Sequence, residues 1–150
     1  FVRGLILRPD GHQGSPEFAV SLALSTPLGG HLVSGHVDGI GSIVAVSSEG
    51  DSLRYTIECE QELTRYIANK GSVCVDGVSL TVTGLVDSGF TLNIVPHTAT
   101  NTIIPGYKSG AQVHLEVDPM LVSYQQAKQH HQQLQQLQMY NLENLVYLFR

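Results

Sequence analysis

Between Gly41 and Asp118 the chain is built from short runs of β-branched and aliphatic residues, each closed by a cluster of Gly, Asp or Ser. Residues 42–46 and 53–59 flank Ser47-Ser48-Glu49-Gly50-Asp51, whose composition suits a hairpin connection. Further strands are predicted over 72–75, 78–86, 90–95 and 113–117. Asp76-Gly77, Asp87-Ser88-Gly89 and Tyr107-Lys108-Ser109-Gly110 separate them. Residues 60–67 read as the one helix inside this body. Glu60 and Glu62 suit its dipole, and Leu63, Tyr66 and Ile67 make an apolar stripe. Lys70-Gly71 ends it. Six short strands of even spacing with one short helix predict an all-β fold, a six-stranded antiparallel barrel. Closure into a barrel also removes the exposed edges that would otherwise template aggregation.

A length of 150 residues corresponds to about one domain and is enough to bury a core. Apolar content of 42% with only 14% charged residues excludes disorder for most of the chain. The net charge is −5 and the 8 Lys and Arg are scattered, so nucleic acid is not an expected partner. No apolar run reaches the ~18 residues of a membrane span, and no secretory signal pattern is visible. Cys59 and Cys74 are too few for a disulfide framework and lack metal-ligand spacing. They read as free thiols in a reducing cytoplasm, with no metal site.

The two ends differ in character from the body. Residues 1–18 carry Pro9, Gly11, Gly14 and Pro16 without a clear period, and Gly14-Ser15-Pro16-Glu17-Phe18 resembles a translated cloning-vector polylinker. This stretch is expected to be a vector-derived or irregular leader. After Pro119, 8 glutamines fall between Gln125 and Gln138. Leu134, Leu137, Met139 and Leu142 interleave with them, and Leu142, Leu145, Val146 and Phe149 then recur at helical spacing. One amphipathic helix is predicted over about 121–147, with an apolar face that calls for another subunit or the barrel. The expected organisation is a leader at 1–18, a barrel at 19–118 and a C-terminal helix at 119–150.

Several residues invite a chemical reading. Asp76-Gly77 is a turn first of all, since glycine supplies a positive φ and the Asp side chain caps the bend. Ser79 and Thr81 alternate with Leu80 and Val82, so the two hydroxyls share one face of a strand. Hydroxyls facing a barrel interior are costly unless paired, so these either bond neighbouring strands or line a ligand pocket. His31 and His36 lie within Gly29-Gly30-His31-Leu32-Val33-Ser34-Gly35-His36-Val37-Asp38-Gly39. Imidazole exchanges protons near neutral pH, which makes His36 a proton-transfer candidate. A structural role in a glycine-rich turn fits both histidines, His31 the more. Pro96-His97-Thr98-Ala99-Thr100-Asn101-Thr102 reads as a loop whose hydroxyls suit a polyol or a ring edge. Asp118 suits a helix N-cap, with Pro119 at the first helical position. Neither Gly-x-Ser-x-Gly nor Gly-x-x-x-x-Gly-Lys occurs, which argues against a hydrolase triad and against nucleoside triphosphates.

The Gly29–Gly39 segment, read with Val75-Asp76-Gly77-Val78-Ser79-Leu80-Thr81-Val82, resembles riboflavin synthase, specifically the second of its two homologous barrel repeats. The resemblance runs over about 20–118. It implies a Greek-key barrel that binds 6,7-dimethyl-8-ribityllumazine or riboflavin, and no added cofactor. In that family two lumazines become one riboflavin and one pyrimidinedione by transfer of a four-carbon unit. One substrate loses a proton from its C7 methyl, and the other accepts a nucleophile at C7. Holding two rings face to face supplies much of the acceleration. By motif match His36, Ser79 and Asp118 take catalytic positions, and Val37, Lys70, Ser79, Thr81, Val95 and Thr98 substrate-binding ones. The family's site lies between the first barrel of one subunit and the second of another, and its first barrel carries Cys-Leu-Thr-Val. Here Ser-Leu-Thr-Val occurs once, with no second copy. The expectation is therefore ligand binding with weak or no turnover by this barrel alone, in a homo-oligomer. The alternative is a non-catalytic flavin or lumazine carrier, or an assembly module driven by the Gln-rich helix.

Overall fold

Alternation dictates the architecture. The structure, a computed structural model, describes residues 30–148. The leader expected at 1–18 and the barrel's expected start at 19 lie outside the described residues. The strands are β1 (Gly39–Glu49), β2 (Ser52–Cys59), β3 (Ser72–Val75), β4 (Val78–Val86), β5 (Gly89–Ile94) and β6 (Gln112–Val117). They close into an antiparallel barrel in the order β1-β2-β5-β4-β3-β6. β3, β4 and β5 form a meander, and β6 returns to lie between β3 and β1, as the Greek-key expectation required. Every second residue points inward. Ile43, Ile57, Val73, Val82, Phe90, Leu92 and Leu115 are at most 1% exposed and fill the interior. Tyr55 joins them because its hydroxyl donates to the carbonyl of Ile104 at 3.1 Å.

The two tight turns follow from their residues. β3 and β4 are joined by Asp76-Gly77 with φ of 44° and 84°, both left-handed, which is the geometry of a two-residue hairpin. Gly50, with φ of 59°, does the same work between β1 and β2. β1 runs longer than the expected 42–46 because it serves two neighbours. Gly39–Ser42 pair with β6, while residues 41–49 pair with β2, with a register shift between Ile43 and Ala45.

Three local expectations need correction. The helix expected over 60–67 is α-helical only at α1 (Gln61–Thr64). Tyr66 and Ile67 then donate to the carbonyls three residues back, Glu60 gives no side-chain cap, and Lys70 takes a left-handed φ of 65°. The segment expected as a loop at 96–102 contains α2 (Pro96–Asn101), with proline in its first turn and Val95 as its extended N-cap. Here tertiary placement overrides the weak helix propensity of Thr and Asn. Tyr107, a turn residue by its sequence setting, is buried at 6% exposed, and its hydroxyl donates to Asp76 Oδ2.

Beyond Asp118 the chain forms a second compact unit, α3 (Pro119–Leu148). Leu134 and Leu137 are 46% and 58% exposed on it, and Phe149 lies outside the described residues. Among the described residues no helix is long and apolar enough to cross a membrane.

Gly89 opens β5 under the closest approach in the barrel wall: a Cβ there would lie 1.9 Å from the carbonyl oxygen of Ile57. Only displacement of backbone could relieve that contact. Gly89→Ala is expected to lose about 3 kcal/mol or more in denaturant unfolding. Gly106→Ala, where an added Cβ meets nothing within 4 Å, is expected to stay close to the parent.

Candidate functional site

Because the apolar residues of β3, β4 and β6 turn inward, the residues between them face out. The registers Cys74↔Ser79 and Cys74↔Glu116 set Ser79, Cys74 and Glu116 in one row across the outer face of three strands. The hydroxyls of Ser79 and Thr81 therefore point away from the core while Leu80 and Val82 are buried. Of the two roles open to such hydroxyls, Ser79 takes a hydrogen bond within the chain. His31 Nδ1 lies 2.7 Å from Ser79 Oγ, and the His31 N–H donates to the same oxygen at 3.3 Å. The close approach requires glycine before it, since a Cβ on Gly30 would fall 2.4 Å from Ser79 Oγ.

The rest of the glycine-rich segment straps the row down. Ser34 donates through its N–H (2.6 Å) and its hydroxyl (2.7 Å) to Glu116 Oε1, and the Gly35 N–H donates to Oε2 at 3.0 Å. A carboxylate that is 5% exposed is tolerable because these donors replace its water. Gly35 has φ of 81°, and the turn brings His36 Nδ1 within 3.0 Å of Ser34 Oγ. Asp38 anchors the end of the strap. Its Oδ2 accepts the Val117 N–H, and its own N–H donates to the Leu115 carbonyl, both at 2.8 Å. His36 and the 53%-exposed Val37 are thus held beside the end of β6, just ahead of half-buried Asp118.

Cys74 lies beneath the strap at 2% exposed. Burial pushes its thiol up to about 12, aided by the negative charges of Glu116 and Asp76 and opposed by the Gly77 N–H. Burial also raises Cys59, with Glu60 adding to the effect. Asp76 is a structural acid rather than a site residue. It is 2% exposed and takes the His114 N–H at 2.8 Å, His114 Nδ1 at 3.0 Å and the Tyr107 hydroxyl.

On the other side of Ser79 the wall is open. β4 pairs with β5 only from Val82 onward, so its Val78–Thr81 half bonds β3 alone. Asn93 and Ile94 of β5 pair instead with Arg54 and Leu53 of β2. Thr81 is exposed at this opening, and its hydroxyl bonds no protein atom among the described residues. Lys70 sits at its margin, its N–H donating to the Val82 carbonyl at 2.8 Å. Val95, 46% exposed, and Thr98 lie at the head of α2, which β5 delivers there. The other side chains of that segment serve the helix itself. Thr100 donates to the Pro96 and His97 carbonyls, Asn101 to His97, and Thr102 to Thr98. Thr98 alone among them keeps its hydroxyl uncommitted among the described residues.

The expected site residues thus fall into three groups on the outer wall: Ser79, Thr81 and Lys70 on β4 and its margin; Val95 and Thr98 at α2; His36, Val37 and Asp118 at the end of β6. The strap joins the first group to the third. Sequence reasoning missed Glu116, because an acid between Leu115 and Val117 reads as a solvated outer position. Its one signal was a glycine-rich segment with several N–H groups in need of an acceptor. Among the described residues no cluster of three or more His, Cys, Asp or Glu could hold a metal.

Residues 34–118 match the lumazine binding domain family. That is more than half of the chain, which therefore belongs to this family. The riboflavin synthase of Photobacterium phosphoreum is 43% identical over 94 residues, covering 63% of this chain and 43% of that protein. The riboflavin synthase of Brucella abortus (strain 2308) is 43% identical over 100 residues, 67% of this chain and 50% of that one. The chain spans about half the length of the curated relatives it matches. A crystal structure of LumP complexed with flavin mononucleotide superposes with a TM-score of 0.54 at 28% identity, over 59% of this chain and 50% of that one. One complexed with 6,7-dimethyl-8-(1'-D-ribityl) lumazine gives 0.53 at 27% identity, over 57% and 48%.

The buried thiol makes a sharp prediction. At pH 8 a group held near 12 is ionised in about one molecule in ten thousand, so iodoacetamide should label Cys59 first and Cys74 only on unfolding. Because the folded state holds this proton more tightly, the stability it contributes is complete below the unfolded thiol value of 9.0. It should decline as pH rises from there towards about 12. Rapid labelling of Cys74 in the native protein at pH 8 would contradict the buried placement.

Proposed function

We propose that the chain binds 6,7-dimethyl-8-ribityllumazine or riboflavin on the outer wall, at the opening between β4 and the head of α2. The observation that carries this reading is the half of β4 over Val78–Thr81 that has no β5 partner while presenting an uncommitted Thr81 hydroxyl. Unpaired strand backbone offers donors and acceptors in one plane, which suits the edge of a flat heterocycle. Thr81 and Thr98 supply hydroxyls for ring edge or ribityl chain, Lys70 a donor at the margin, and Val95 and Val37 apolar surface for the ring face. The family match and the ligands bound in the LumP structures support the same chemistry.

The reaction proposed for the whole protein is that of riboflavin synthase, which moves a four-carbon unit between two stacked lumazines and needs no added cofactor. His36 then handles a proton, Ser79 contacts the reacting ring through the oxygen that His31 fixes, and Asp118 lies at the β6 end of the site. One barrel holds one ring. Turnover needs a second ring held within about an ångström of the productive stack. The 150-residue chain alone is therefore expected to bind strongly and turn over slowly. A carrier role is the second reading, favoured by the ligand-bound LumP structures that this barrel resembles.

Titration of the folded chain with riboflavin, followed by quenching of flavin fluorescence, is expected to saturate at micromolar concentrations. Thr81→Val should weaken binding about tenfold, the cost of leaving a ligand polar group unpaired. Riboflavin formation from the lumazine should run at least a hundredfold below a full two-barrel synthase assayed alongside. An unquenched titration overturns the binding site; a comparable rate overturns the need for a second barrel.

Self-association through α3 is proposed as well, since Leu134, Leu137 and Tyr140 lie at helical spacing and all are exposed. Sedimentation of the full chain should show a larger species than a chain ending at Asp118. Equal monomers would refute it.

A further inference from the structure

The strap contains a chain of hydrogen bonds whose proton count can be closed. Glu116, 5% exposed, is fixed in β6 opposite Cys74. A carboxylate offers lone pairs only. Its Oε1 takes the Ser34 N–H at 2.6 Å and the Ser34 hydroxyl at 2.7 Å, and its Oε2 takes the Gly35 N–H at 3.0 Å. The Ser34 hydroxyl has one proton, and the 2.7 Å bond to Glu116 uses it. Its remaining contact, His36 Nδ1 at 3.0 Å, can then exist only with the imidazole as donor. A neutral imidazole carries one N–H, and when Nδ1 holds it Nε2 is left with a lone pair.

We infer that Glu116, acting through Ser34, holds neutral His36 as its Nδ1–H tautomer, so that Nε2 is presented to solvent as a proton acceptor. His36 is exposed, and Nε2 has no protein partner among the described residues. The opposite tautomer would present an N–H there and could neither accept a ligand N–H nor receive a proton from an acidic C–H group. Glu116 and Ser34 are positioning residues: neither needs to touch the ligand, and both act by deciding which nitrogen of His36 is basic. The ligand this selects is one carrying an N–H, an O–H or an acidified methyl group at the His36 end of the site. That assignment rests on the ligand site proposed above, whereas the tautomer itself does not depend on any ligand.

The test is a two-bond proton–nitrogen correlation spectrum of the full chain with 15N-labelled histidine. It is recorded without ligand in mildly alkaline buffer, where imidazoles are neutral. His36 is assigned by its loss in His36→Gln. Wild-type protein is expected to show His36 protonated at Nδ1 and bare at Nε2. Ser34→Ala, an exposed position, removes the acceptor and should move His36 towards the Nε2–H form, while Ser34→Thr should restore the wild-type pattern. Glu116→Gln, whose amide oxygen can still accept the Ser34 N–H and hydroxyl, should keep the Nδ1–H form. A wild-type Nε2–H pattern overturns the inference by itself, whatever the variants do. So does a Ser34→Ala spectrum with the Nδ1–H form intact. Lumazine whose C7 methyl exchanges with deuterated solvent about tenfold more slowly in Ser34→Ala than in wild type adds the functional consequence. Equal exchange rates would remove His36 tautomer control from the chemistry. Failure of the lumazine to bind at all would count against the ligand site and leave the tautomer result standing.

Discussion

The double pairing of β6 is the constraint on which the rest depends. Its residues bond β1 on one side and β3 on the other, and this is what turns six strands into a closed wall. Closure gives every strand of the wall one dry face and one outer face, so the period-2 pattern sorts the chain into core and chemistry. It also brings Glu116 and Ser79 to either side of Cys74, although Ser79 and Glu116 lie 37 positions apart in sequence. An open sheet with β6 elsewhere would contain the same strands and no such row.

Two buried acids then hold the outer structure in place. Asp76 gathers His114 and Tyr107, and Glu116 gathers Ser34 and Gly35. A buried carboxylate without donors costs several kcal/mol, so each acid imposes a geometry on whatever segment supplies them. Asp76 ties the approach to β6 against the β3–β4 turn. Glu116 ties the strap against the wall, and with it the histidine that reaches solvent. Satisfying buried charge and orienting His36 are therefore one structural event.

The strands, the Asp76-Gly77 turn and the shared face of Ser79 and Thr81 were all legible in the residues, because alternation and positive-φ turns are written in neighbours one or two positions apart. The ends of elements were less legible. β1 is longer than its apolar run because two partners share it, and α1 is shorter than its stripe because Lys70 turns the chain into β3. The helix at Pro96–Asn101 reads as a loop because Thr and Asn favour turns, and in the structure Thr100 and Asn101 bond the helix's own carbonyls.

Of the site, the sequence by itself determined the inventory: which hydroxyls lie on one strand face, which histidines sit among glycines, and that a barrel would carry them. Only the tertiary structure decided that the hydroxyls face outward, that His31 is spent on Ser79, and that Glu116 is the acceptor for the glycine-rich strap. Local conformation depends on residues adjacent in the chain, and the sequence states those directly. A hydrogen bond between residues 48 or 82 positions apart depends on strand register and barrel closure, which are settled by the packing of the whole wall at once.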